Sequence, residues 1–175
     1  DLKGKKISGQ RAKQVARKFF GFGSNVNVNL SQPKKGADYA AYNASMKDPR
    51  TGSMIHMNIT QIGGHPIWMI QDQKAGKPKI SLYNAGQIAA KFLKKHGKTN
   101  MKMTQSEQYD DVGMFTFVKM QNNARIYPES IRMKVALNNG KVVGYDATDY
   151  IAFQKNHVFG KPKLSRKQAL KHINK

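Results

Sequence analysis

Gly76-Lys77-Pro78-Lys79-Ile80-Ser81 is the stretch on which the reading of this chain turns, because it occurs in three versions. The earlier copy is Gly4-Lys5-Lys6-Ile7-Ser8, and the later one is Gly160-Lys161-Pro162-Lys163-Leu164-Ser165; the three serines stand 73 and 84 residues apart. Self-similarity at a fixed period marks a chain built from repeated structural units. Behind the first two serines the apolar residues recur at identical offsets: Ala12, Val15, Ala16, Phe19 and Phe20 after Ser8, then Ala85, Ile88, Ala89, Phe92 and Leu93 after Ser81. Those offsets share one face of an α-helix, which leaves Arg11, Lys13, Arg17 and Lys18, or Lys91, Lys94 and Lys95, to point elsewhere. Each serine is placed to cap its helix, since a hydroxyl can accept the free N–H groups of the first turn. Gly21 and Gly97 stand where helix-ending glycines belong. In the third copy Ser165 is followed by Ala169, His172 and Ile173, which begin the same helix.

Past each helix the apolar period changes from 3.6 to 2. In the second copy Met101 and Met103 alternate with polar neighbours, Met114-Phe115-Thr116-Phe117-Val118 reads as a buried strand, and Ile131, Met133, Val135 and Leu137 alternate up to an Asn138-Asn139-Gly140 turn. Lys141-Val142-Val143-Gly144-Tyr145 returns from that turn. The first copy parallels it with Val26 to Leu30, Tyr39 to Met46, Met54 to Ile62, a Gly63-Gly64 turn and Ile67-Trp68-Met69-Ile70. The expected organisation is a unit over residues 1–74, a second over 75–160, and the first helix of a third over 161–175, each complete unit being a helix followed by an antiparallel meander. Units of this size are near the lower limit for an independent core, so neighbours are expected to lean on one another.

Composition narrows the function classes. The chain has 175 residues, 31 Lys+Arg against 10 Asp+Glu, a formal charge of +21 and no cysteine. Without cysteine there is no disulfide scaffold, thiol nucleophile, iron–sulfur ligation or cysteine zinc site. The longest nearly uncharged stretch, Thr51 to Gln71, contains His56, Asn58, three glycines, His65 and Pro66, which is unsuited to a membrane-crossing helix. A charge of +21 points to polyanions, nucleic acid first among them. Yet the excess divides as +8, +7 and +6 over the three segments, with no dense basic arm.

Enzymatic constellations fail by residue type. The five histidines, His56, His65, His96, His157 and His172, form no HExxH and no pair at i, i+4. His56 in an alternating strand and His65 beside Pro66 read as structural histidines. Glu107 with Asp110-Asp111, and Asp146 with Asp149, are carboxylate groupings that read as local counter-charges at turns rather than an acid/base pair. No phosphate loop or nucleophile elbow is present. Phe115 and Phe117 share a strand face, as in single-strand binders, but they lack the surrounding motif of an RNA-recognition sheet and read as core. The expectation is a protein that is not an enzyme and needs no cofactor or metal.

The repeated capped helix and meander resemble tandem PepSY domains. Asp111-Val112-Gly113-Met114-Phe115-Thr116-Phe117-Val118, Arg125-Ile126-Tyr127-Pro128, Lys134-Val135-Ala136-Leu137 and Gly140-Lys141-Val142-Val143-Gly144-Tyr145-Asp146-Ala147-Thr148 are similar to the C-terminal region of the YpeB spore-germination family. The resemblance covers nearly the whole chain, most specifically residues 76–166. It implies an α+β fold of cystatin-like repeats, each a helix packed across an antiparallel sheet. It also implies a spore protein, extracytoplasmic and close to the inner spore membrane and cortex, whose partner is a SleB-like cortex-lytic enzyme that it stabilises and restrains. PepSY units in metallopeptidase propeptides suggest inhibitory or chaperone-like contact. Full-length relatives carry a membrane-spanning segment, so the chain reads as part of a longer protein. No catalytic residue is carried over.

The expected partner surface is the polar back of the second helix and the loop beyond it: Lys91, Lys94, Lys95, Lys98 and Lys102. Lysines there also simply keep a helix face solvated. Anionic cortex peptidoglycan could meet the same surface directly. The alternative function is a basic nucleic-acid- or polyanion-binding protein, for which affinity would fall steeply with salt.

Overall fold

The computed structural model describes residues 4–35 and 39–158. The third copy of the repeat, 161–175, lies outside the described residues. Helix α1 (Gly9–Phe20) and helix α2 (Leu82–Lys95) begin as their sequences require: Ser8 Oγ accepts from the Arg11 N–H at 3.1 Å and Ser81 Oγ from the Asn84 N–H at 3.0 Å. Gly21 closes α1 in the left-handed conformation at φ 70°, and Gly97, at φ 75°, follows the His96 cap of α2. A side chain there would be strained, which is why glycine ends both helices. Within α2, Gly86 is buried, and a Cβ there would lie 2.9 Å from Met103 Cε and 3.2 Å from Phe115 Cε1. Glycine costs a helix interior about 1 kcal/mol, but here it lets the helix backbone approach the sheet.

The first repeat supplies strands β1 (Val28–Leu30), β2 (Lys34–Lys35), β3 (Ala40–Lys47), β4 (Met54–Thr60) and β5 (Pro66–Gln71). The second supplies β6 (Met101–Tyr109), β7 (Val112–Gln121), β8 (Ala124–Ala136) and β9 (Val142–Asp146). All pair antiparallel, in the order β1-β3-β4-β5-β9-β8-β7-β6, with β2 also on β3. The last strands of the two repeats therefore pair with each other, through Trp68 with Asp146, Met69 with Tyr145 and Ile70 with Gly144. Two meanders of marginal size become one nine-stranded sheet with its junction in the middle. Short sheets leave long unpaired edges, and fusing them removes two of those edges.

Both helices cover the same face. One apolar cluster takes Ala16 and Phe19 from α1, Ala85, Ala89 and Leu93 from α2, and Met57, Met69, Phe115, Ile131, Met133 and Tyr145 from the sheet. The helix ends meet over the strand junction, where Phe19 lies 5.4 Å from Phe92, 5.4 Å from Tyr145 and 4.5 Å from His96, ring centre to ring centre. Aromatic contacts of this kind contribute about 0.5–1.5 kcal/mol each beyond the apolar area they bury. A polar tie joins the repeats at the sheet margin. Asp48, 1% exposed, pairs with Lys141 of the β8–β9 turn while also accepting from the Arg50 N–H at 2.8 Å and Gln71 Nε2 at 2.9 Å. Burial would raise the Asp48 carboxyl, but the hydrogen bonds from Lys141, Arg50 and Gln71 outweigh it and hold the group below its ordinary value.

Residues 72–81 link the repeats and are pinned to the second, with the Gly76 N–H on Asp111 Oδ2 at 2.9 Å and the Lys79 N–H on the Leu137 carbonyl at 2.8 Å. A further helix, α3 (Thr148–Val158), follows β9 and packs on β8 through buried Tyr150 and Ile151; it has no counterpart in the sequence reading. Its first turn is set by Asp146 Oδ1, which accepts the Thr148 N–H at 3.0 Å.

Candidate functional site

The five lysines singled out by sequence fall at one end of the molecule but not on one free surface. Lys91, Lys94 and Lys95 are exposed along the back of α2, the last two in its final turn, where cations complement the negative end of the helix dipole. Lys102 is exposed on β6. Lys98 is different. It is half-buried, its Nζ lies 5.5 Å from the centre of the Tyr150 ring of α3, and burial, with the nearby Lys119, pushes its ammonium below the usual lysine range. Its charge is spent partly inside the protein, on a cation–π contact.

Lys94 and Lys98 form the rim of a shallow hollow of about 490 Å3 floored by Leu93, Met101 and Phe117. Sequence reasoning missed Lys119, whose Nζ reaches across to the Thr99 carbonyl at 2.9 Å and closes the loop after α2. Among the described residues, the one ion pair is Lys141 with Asp48, so Lys91, Lys94, Lys95 and Lys102 carry uncompensated charge. An apolar floor with a charged rim is the general anatomy of a protein–protein contact.

The carboxylates are engaged in local structure. Glu107 Oε2 accepts the Tyr109 hydroxyl at 2.8 Å, Asp111 receives the Gly76 N–H, and Asp146 caps α3. The histidines are dispersed: His56 is exposed on the uncovered face of the sheet, His96 packs between Phe19 and Phe92, and His65 follows the Gly63-Gly64 turn. Burial lowers both His65 and His96 to about 4. His65 Nε2 is buried without a hydrogen-bond partner among the described residues, so it is not the fully satisfied histidine its turn suggested. Among the described residues no group of three His, Asp or Glu is placed to hold a metal ion, and no helix is long and apolar enough to cross a membrane.

The comparisons with known proteins agree with this architecture. The model of the family "YpeB sporulation, PepSY1 and PepSY2 domains" matches residues 1–159. The sporulation protein YpeB of Bacillus subtilis is 40% identical over 176 residues, covering 99% of this chain and 39% of that protein. The YpeB of Halalkalibacterium halodurans is 34% identical over 173 residues, covering 99% of the chain and 38% of that relative. The chain thus spans about two fifths of the length of these relatives. Among solved structures, the Bacillus megaterium YpeB C-terminal domain superposes with a TM-score of 0.80 at 40% identity, covering 96% of this chain and 75% of that one. Two capped helices on a shared antiparallel sheet, and these matches along nearly the whole length, make the chain a member of the YpeB sporulation family, in the part that carries its first two PepSY domains.

Proposed function

We propose that the chain is a non-enzymatic holding module of the spore, lying extracytoplasmically beside the inner spore membrane and cortex, that binds, stabilises and restrains a SleB-like cortex-lytic enzyme. The observation that carries the reading is the second-repeat surface. Lys91, Lys94, Lys95 and Lys102 are exposed, with no ion pair among the described residues, beside a hollow with an apolar floor. Such a surface suits an acidic face of a protein, because steering by unlike charge speeds encounter while the buried apolar centre supplies most of the affinity. Anionic cortex peptidoglycan is a second occupant of the same lysines in this reading.

The test uses the purified chain immobilised and a purified cortex-lytic enzyme of the SleB type. Specific retention that weakens as salt rises, with slower digestion of cortex by the retained enzyme, is the expected result. Absence of retention at low salt would overturn the partner assignment, and retention without change in digestion would remove the restraining role.

A further inference from the structure

The face of the sheet turned away from the helices carries a second surface. Antiparallel register aligns Asn43, Asn58, Trp68, Asp146 and Arg132 in one row across both repeats, and sets His56, Ile70, Gly144 and Lys134 in the row beside it. Trp68, the chain's single tryptophan, is half-buried at the centre and forms a wall of two hollows. The hollow of about 570 Å3 on the first-repeat side is lined by Asn43, Asn58 and His56. The other, of about 430 Å3, is lined by Arg132 and Lys134. At the junction the absent side chain of Gly144 makes room for the Lys134 stem: a Cβ there would lie 3.0 Å from that of Lys134.

What makes the surface chemically specific is how much of it is unspent. Among the described residues no intramolecular hydrogen bond or ion pair uses the side chains of Asn43, Asn58, His56, Arg132 or Lys134. The two carboxylates lining the second hollow are already accepting, Asp146 from the Thr148 N–H and Glu107 from the Tyr109 hydroxyl. An indole face is electron-rich and apolar, and the C–H face of a pyranose ring is its complement. Planar amides and imidazole beside it offer both donors and acceptors to hydroxyl and acetamido groups. A guanidinium offers a fork that matches a carboxylate. An acidic peptide would satisfy the two cations but leave the amide-lined hollow unused. A phosphate backbone would likewise meet only the two cations and leave the amide-lined hollow unused.

We propose that this open face binds a polysaccharide of acetamido sugars bearing carboxylates, with one ring on Trp68, its polar groups on Asn43, Asn58 and His56, and its carboxylate on Arg132 and Lys134. The site is separate from the α2 lysines, and it exists only because β5 and β9 join the repeats.

Trp68 is also the reporter, since it alone supplies the tryptophan emission. The chain is titrated with peptide-stripped peptidoglycan strands, with neutral chitotetraose and with polyglutamate. The strands are expected to give a saturable change in emission, chitotetraose the same change with affinity weaker by about tenfold or more, and polyglutamate none. Arg132→Ala should bring the strands down to the level of chitotetraose, and Asn58→Ala should weaken both glycans. Both positions are on the uncovered face, and circular dichroism verifies that the fold is kept. No response to either glycan, an equal response to polyglutamate, or an Arg132→Ala variant that still separates the two glycans would each overturn the proposal.

Discussion

Helices α1 and α2 are built to one pattern and differ on their outer sides. Their inner faces bury the same offsets +4 and +8 from a capping serine, Ala12 and Ala16 in one and Ala85 and Ala89 in the other, followed by Phe19 at +11 and Leu93 at +12. On α1 only part of the charge is turned to the fold: Arg17 Nε donates to the Val26 carbonyl at 2.7 Å and Lys13 is half-buried, while Arg11, bonded to its helix neighbour Gln14 at 3.2 Å, and Lys18 are exposed. On α2, Lys91, Lys94 and Lys95 are all exposed, with no such bond among the described residues. Repetition preserves what packs, and the outward residues are free to diverge. The second repeat is therefore where a charged partner surface is sought.

Breaking the shared core gives the largest effect. Phe19 is 7% exposed and touches the second repeat through Phe92, His96 and Tyr145, so Phe19→Ala is expected to cost about 3–5 kcal/mol and lower a single cooperative melting transition. Two separated transitions in calorimetry, with the later one at the wild-type midpoint, would show instead that the repeats fold apart. The polar tie is next. Lys141→Met leaves the buried Asp48 carboxylate with only Arg50 and Gln71 as donors and is expected to cost about 1–3 kcal/mol at neutral pH in urea titrations. Because the folded-state value of Asp48 lies below its ordinary 3.8, its contribution is complete above that pH and is lost as the solution is acidified below it. In Lys141→Met the acid limb of the stability curve should move to higher pH.

His96 sharpens the comparison near the physiological range. It stays neutral in the fold down to about 4 but titrates near 6.5 when unfolded, so below 6.5 the unfolded state takes up the proton first. Melting temperature is thus expected to fall between pH 6.5 and 4, and less steeply in His96→Phe. His65 shares the same sign and leaves a residual slope. Smaller still, Ser8→Ala and Ser81→Ala should each cost about 1 kcal/mol, and nearly equally, because the two caps have the same geometry.

The parts of this structure that were legible in sequence are the local ones. Capping serines, terminal glycines and the period switch from helix to strand act within a few residues, and they located α1, α2 and the principal strands. Pairing of β5 with β9 joins residues some 75 positions apart and has no local signature, so the merging of two meanders into one sheet could not be read. Helix α3 escaped because its apolar residues do not keep a helical period and its cap is an aspartate at the end of a strand. At the site, spacing placed Lys91, Lys94 and Lys95 outward, yet a long lysine stem can fold back, as Lys98 does toward Tyr150. Trp68 had a usable signal: it alternates with inward Ile67 and Met69, which turns the one tryptophan to the uncovered face.

The most direct test of the contrast between the two helices is charge reversal on one at a time, read against a purified SleB-type enzyme. Lys91→Glu, Lys94→Glu and Lys95→Glu together should cost no more than about 2 kcal/mol, since Lys94 and Lys95 complement the dipole of the last turn, and should keep the fold while abolishing retention of the enzyme. Reversing Lys13 and Lys18 on α1 should leave retention intact. Equal loss from both helices would reduce the contact to net charge, and undiminished retention by the α2 variant would contradict the account.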